Sequence, residues 1–143
     1  MKVNLAVAAE DVEMGARNKP DIRGVFTEVM PDDLPGYLSD IHLIVFCEAD
    51  AAEFGKEKLF EIYLLAADGE RLARWHDLQP VPQPPRPGSR CFFVLDWSLQ
   101  TVPFTKAGDY AFSVVVGGDQ KTSLQIYVHE PPNTNELQEG GIG

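Results

Sequence analysis

The sequence predicts an all-β sandwich. Clusters of Gly, Pro and Asp punctuate the chain about every eight to twelve residues, and the runs between them are rich in β-branched and aromatic residues. Eleven prolines and twelve glycines in 143 residues argue against a fold of long helices. With 44% hydrophobic residues, a chain of this length forms one domain that buries about 68–70% of its unfolded surface. It therefore needs neither a disulfide framework nor a structural metal.

The first strand opens the chain, where Val3, Leu5 and Val7 alternate with Asn4 and Ala6 and so predict one apolar face. A loop through Gly15, Asn18 and Pro20 leads to a second strand over residues 22–29. The prolines at 31 and 35 end it, because proline donates no ladder hydrogen bond and restricts the residue before it. Residues 41–48 alternate little; Leu43, Ile44, Val45 and Phe46 are all apolar, the pattern of a strand covered on both faces. Residues 58–67 are ambiguous, since Leu59, Ile62, Tyr63 and Ala66 also fit a helical spacing. The strand reading is preferred, because Phe60, Ile62 and Leu64 alternate with Glu61 and Tyr63 and Asp68-Gly69 makes a hairpin turn into residues 71–76.

Residues 78–89 hold five prolines and Gly88, which no central strand accommodates. An extended crossover from one sheet to the other is expected there. The apolar pattern resumes over residues 90–96. The strongest local signal is the last hairpin: Tyr110, Phe112, Val114 and Val116 on one strand answer Leu124, Ile126 and Val128 on the next, across Gly117-Gly118-Asp119. Matching apolar faces specify register, since a slip of one residue exposes every large side chain. The expected organisation is a sandwich over residues 1–130 and a flexible acidic tail over residues 131–143.

The turn Ala107-Gly108-Asp109-Tyr110-Ala111-Phe112 resembles one found in many immunoglobulin-like sandwiches, in some of which a tyrosine at that corner bonds back to the chain. The chain as a whole is similar to a family of small bacterial β-sandwich proteins known only as a domain of unknown function. The likeness lies in Lys2-Val3-Asn4-Leu5-Ala6, Ile22-Arg23-Gly24-Val25-Phe26, His42-Leu43-Ile44-Val45-Phe46, Ala67-Asp68-Gly69 and Gly108-Asp109-Tyr110, and covers residues 2–129. The resemblance implies an immunoglobulin-like antiparallel sandwich of about seven to nine strands and carries over no catalytic residues.

Twelve basic against twenty-two acidic residues leave a net charge of −10, which repels phosphate backbones and anionic lipid headgroups. Lys and Arg are scattered, and a grouping such as Arg71 and Arg74 is diluted by Asp77 and apolar neighbours, so neither nucleic acid nor a membrane is an expected partner. The start of the chain is too short in apolar residues and too acidic for a signal peptide, which predicts a cytoplasmic protein. Cys47 and Cys91 then read as small buried hydrophobes, outside any C-x-x-C pair.

No catalytic constellation, metal site or cofactor motif is legible. The three histidines, His42, His76 and His129, lie far apart in sequence, and no nucleophile elbow, phosphate loop or zinc-protease signature occurs. Glu10-Asp11 and Asp32-Asp33 are adjacent carboxylates expected in loops, unlike the fold-spaced pair of a glycosidase. The candidate binding residues are Trp75, His76 and Trp97, which could form an aromatic platform, and Pro82, Pro84, Pro85 and Arg86, whose P-x-x-P spacings suit aromatic grooves. Packing of the tryptophans at the core or its rim and a rigid crossover are the competing readings. The expected function is a non-catalytic protein-interaction or assembly module, acting through the proline-rich loop or by self-association at a sheet edge. A small-ligand or carbohydrate-binding sandwich is the alternative, with a hydrolase behind it.

Overall fold

The computed structural model describes residues 1–132, and the remainder of the expected tail lies outside the described residues. Eleven strands run in the order β1 (Lys2–Met14), β2 (Pro20–Phe26), β3 (Glu28–Val29), β4 (Gly36–Leu38), β5 (Ile41–Ala49), β6 (Glu57–Ala66), β7 (Arg71–Pro80), β8 (Cys91–Leu99), β9 (Val102–Phe104), β10 (Gly108–Val116) and β11 (Asp119–Val128). The eight long strands fall within the expected seven to nine. Three short ones, β3, β4 and β9, complete the set. The first sheet has the order β2-β1-β5-β8, the second β3-β11-β10-β6-β7, and β4 pairs with β9 in a small ribbon. The two facing sheets make an antiparallel sandwich with the strand order of the immunoglobulin-like class, as the sequence predicts. All pairings are antiparallel except β3 with β11.

The core lies between the two sheets. From the first sheet Leu43, Val45, Cys47, Phe93 and Leu99 meet Phe60, Ile62, Leu64, Phe112, Val114, Ile126 and Val128 of the second. Burying side chains of this size contributes about 1.5–3 kcal/mol each before entropy is subtracted. Register follows the pattern: Phe112 lies opposite both Leu124 and Leu64, so three inward residues align across three strands. The tyrosine corner forms as the turn implied. The Tyr110 hydroxyl donates to the Lys106 carbonyl at 2.6 Å and accepts from the backbone N–H groups of Lys106 and Thr105 at 3.1 and 3.2 Å.

The structure corrects two local expectations. In β1 a bulge between Val3 and Leu5 reverses the faces, so Val3, Ala6 and Ala8 look inward while Leu5 and Val7 pair with the outward residues Phe46 and Ile44. The expected Val3-Leu5-Val7 face does not exist. The bulge inserts one extra residue, and β1 packs near β11, where alanines fit and larger side chains would hold the sheets apart. The predicted second strand is two strands. Residues 20–26 pair with β1 in the first sheet, Thr27 breaks the ladder, and Glu28–Val29 joins β11 in the second.

The proline-rich segment crosses between sheets as expected, from β7 in the second to β8 in the first. Both are edge strands. That explains why β7 runs as far as Pro80, beyond the expected end at His76, since proline is tolerated where no further neighbour needs its N–H. Cys47 faces Phe93, and Cys91 faces Ala49, so the two thiols sit diagonally on neighbouring strands, buried and unbridged. Burial pushes the Cys47 thiol up to about 12, which keeps it protonated and inert.

Candidate functional site

The tryptophans face inward and do not form a surface platform. Trp75, on β7, is half-buried with its ring centroid 6.4 Å from that of Phe112. Trp97, on β8 opposite Leu43, is half-buried against the same core. It also lines a small cavity of about 130 Å³ with Asp77 and Gln79, where the two edge strands approach each other. His76 alternates with Trp75 and so emerges on the opposite face of the second sheet, opposite Glu61. In the crossover, Pro82, Pro85 and Arg86 are exposed and Pro84 is half-buried. The loop runs directly into β8.

Beside the start of β8, the outer face of the first sheet is apolar. Leu5 is 52% and Phe92 59% exposed, and with Phe46, Val94, Arg17 and Asn18 they line a cavity of about 360 Å³. Arg17 and Asn18 belong to the turn joining β1 to β2, so this hairpin folds back over the outer face and brings its tip to the opposite end of β1. Ile44 and Ala9 are fully buried although they lie on that outer face. Two features of the hairpin make this possible. Gly24, at φ +67°, leaves room for Glu10, whose carboxyl oxygen would lie 2.9 Å from an added Cβ. Arg17 and Asn18 take left-handed backbone conformations at φ 60° and 55°, which cost a non-glycine residue about 1–3 kcal/mol and persist where the surroundings enforce them. Arg90 places its guanidinium 5.6 Å from the Phe92 ring centroid and pairs with Glu48 at 3.2 Å, giving the patch a basic margin.

The outer face of the second sheet is polar. Glu61 is only 8% exposed, and one of its oxygens, Oε2, accepts from the Tyr63 hydroxyl and, at 2.8 Å, from Arg74 Nε. These two hydrogen bonds, that from Tyr63 first, hold the Glu61 carboxyl below the usual carboxylate range. Arg71 lies over the Tyr63 ring, 4.3 Å from its centroid. A cavity of about 290 Å³ opens here.

Two histidine–carboxylate pairs also form that sequence separation conceals. His42 Nδ1 lies 2.9 Å from Asp96 Oδ1, and His129 Nε2 lies 3.1 Å from Glu28 Oε2. Ser98 stands opposite His42, so serine, histidine and aspartate share one face. The Ser98 hydroxyl, however, accepts from Gln100 at 3.2 Å, and the hydrogen bond to a base that would activate it as a nucleophile is not made. Among the described residues no cluster of three or more His, Cys, Asp or Glu could hold a metal ion, and no helix is long and apolar enough to cross a membrane.

A comparison with curated proteins finds no match. Several solved structures are similar to this chain, two of them from Pseudomonas species. One is the Pseudomonas fluorescens alkylpurine DNA glycosylase AlkC bound to DNA containing an abasic site analog, 12% identical, with 72% of this chain covered and a TM-score of 0.45. This chain spans 27% of the length of that glycosylase. The other is an immunoglobulin-like protein from Pseudomonas aeruginosa, 13% identical, with 90% of this chain and 95% of that one covered and a TM-score of 0.39. Residues 4–129 fit a family of unknown function, DUF6941, and the chain belongs to that family.

Proposed function

We propose that this chain is a non-catalytic protein-binding module whose contact surface is the apolar patch on the outer face of the first sheet. The observation that carries the reading is the exposure of Leu5 and Phe92 around one cavity, bordered by Arg17 and Arg90, on a chain with a net charge of −10. A large aromatic left in water beside an aliphatic groove is the composition of an interface centre with a polar rim. The free edge of β8 adds a row of main-chain donors and acceptors next to it. An extended segment of a partner would lie along β8 and seat an apolar side chain between Leu5, Phe46 and Phe92, with acidic neighbours meeting the arginines. The exposed Pro82, Pro85 and Arg86 extend the same end of the molecule.

The test is affinity capture from the native host with mass-spectrometric identification, comparing the parent with Phe92→Asp, with residues 82–87 replaced by Gly/Ser, and with Arg71→Gln. A stoichiometric partner lost with Phe92→Asp and kept with Arg71→Gln supports the patch. Loss on loop replacement as well extends the contact to the prolines. A partner that survives Phe92→Asp, or repeated capture of nothing by folded bait, overturns the reading. Light scattering over a concentration series separates a foreign partner from pairing of two copies along β8.

A further inference from the structure

Outward residues of a two-layer sandwich face water, so a carboxylate there is ordinarily exposed and satisfied by solvent. Glu61 departs from this. It is nearly buried, and both of its hydrogen bonds fall on Oε2, so Oε1 has no protein partner among the described residues and is the oxygen left open to solvent and to a ligand. Arg71 departs in the opposite way. Its guanidinium is held over the Tyr63 ring, yet among the described residues no carboxylate reaches it at ion-pair distance, in a chain with twenty-two acids. The contact with the ring places the guanidinium over Tyr63 and uses none of its N–H donors on a carboxylate, so they remain for a bidentate acceptor. Glu61 and Arg71 line the same cavity of about 290 Å³, together with Tyr63, Ser113 and Gln120. Ser113 is 4% exposed.

We propose that this cavity binds a small zwitterion of the α-amino-acid kind, with its carboxylate on Arg71 and its ammonium on Glu61 Oε1. Each part of the ligand follows from a part of the cavity. The available guanidinium calls for an oxyanion. Arg74 already pairs with Glu61 Oε2, so what the cavity offers a ligand is the Arg71 guanidinium with Glu61 Oε1 beside it, a pairing that favours a ligand with a cation next to its anion. The volume limits the ligand to a compact molecule, and the Ser113 hydroxyl and Gln120 amide provide further hydrogen bonds for a polar side chain. Glu61 stays ionised for this role, because Tyr63 and Arg74 keep its carboxyl below the usual range. The site lies on the opposite sheet from the apolar patch, so it stands or falls independently of the protein-binding role.

The experiment is an amide NMR titration of the full chain with glycine, L-alanine and L-serine, beside acetate and methylammonium as half-ligands. Saturable shifts at Tyr63, Ser113 and Gln120 are expected with the amino acids, and binding about tenfold or more weaker with either half-ligand. Arg71→Gln should weaken amino-acid binding about tenfold or more while its spectrum stays dispersed. Glu61→Gln should narrow or reverse the preference for amino acid over acetate, since it removes the group that repels an anion and attracts the ammonium. Absent shifts, acetate binding as tightly as the amino acids, or an Arg71→Gln variant that binds like the parent would each overturn the proposal.

Discussion

The two sheets contribute alike to the core and differ on their outer faces. On the first sheet, Ile44 and Ala9 are buried beneath a folded-back hairpin, and beyond its tip Leu5 and Phe92 stand in water. On the second sheet, the corresponding surface is a hydrogen-bonded group of Glu61, Tyr63, Arg74 and Arg71. The inner faces share one physical task, the exclusion of water, and are filled with interchangeable apolar residues. Nothing in that task constrains the outer faces. One has become a surface with unsatisfied apolar area and the other a surface with unsatisfied charge, which is why different ligand chemistries are assigned to them.

The largest effect that would sharpen this contrast is at Ile44. It points away from the sandwich interior, yet Ile44→Ala should cost about 2–5 kcal/mol, as a core truncation does, because the hairpin covers it. A denaturant melt measures this. A loss under about 1 kcal/mol would mean that the outer face is effectively open there. Phe92→Ser, on the same face but beyond the hairpin, should change stability by no more than about 0.5 kcal/mol in the same melt while removing the centre of the apolar patch. A large loss there would make Phe92 a packing residue and remove the asymmetry within the face.

The smallest effect lies on the second sheet and concerns pH. The folded protein holds the Glu61 carboxyl below its unfolded value, so its contribution to stability is complete above the ordinary carboxylate range and is lost as pH falls through the depressed folded value. Glu61→Gln should therefore flatten the acid limb of the melting-temperature profile and leave the neutral region with little slope of its own. Parallel acid limbs for parent and variant would show that the carboxylate is not held as described.

Much of the fold was legible because burial on one face of a strand imposes a two-residue period. Phe60, Ile62 and Leu64 face inward as read, and so do Phe112, Val114, Ile126 and Val128. The failure in β1 has an equally physical origin. Ala6 and Ala8 are inward but too small to mark the face, while Leu5 is large and outward, so the pattern pointed to the wrong side of a bulge. The switch at Thr27 left no mark either, because residues on both sides of it are extended and apolar residues recur through it. The binding residues were harder. Trp75 and Trp97 drew notice for their chemistry, and packing against the core accounts for both. In the sequence Arg71 and Arg74 read as a diluted pair, and their significance depends on a hairpin register that places them beside Leu65 and Tyr63.

Local sequence suffices for the all-β class, the order of the long strands, the inward residues of the final hairpin, the crossover between sheets and the buried thiols. These rest on local properties: side-chain periodicity, the backbone limits of proline and glycine, and the exclusion of apolar groups from water. Long-range assembly is what brings Asp96 to His42 across 54 residues, returns Arg17 to Leu5, and sets Arg74 and Tyr63 on one oxygen of Glu61. Each of those contacts depends on which strands become neighbours and in what register. That choice is made by the packing free energy of the whole core, to which no single segment holds the key.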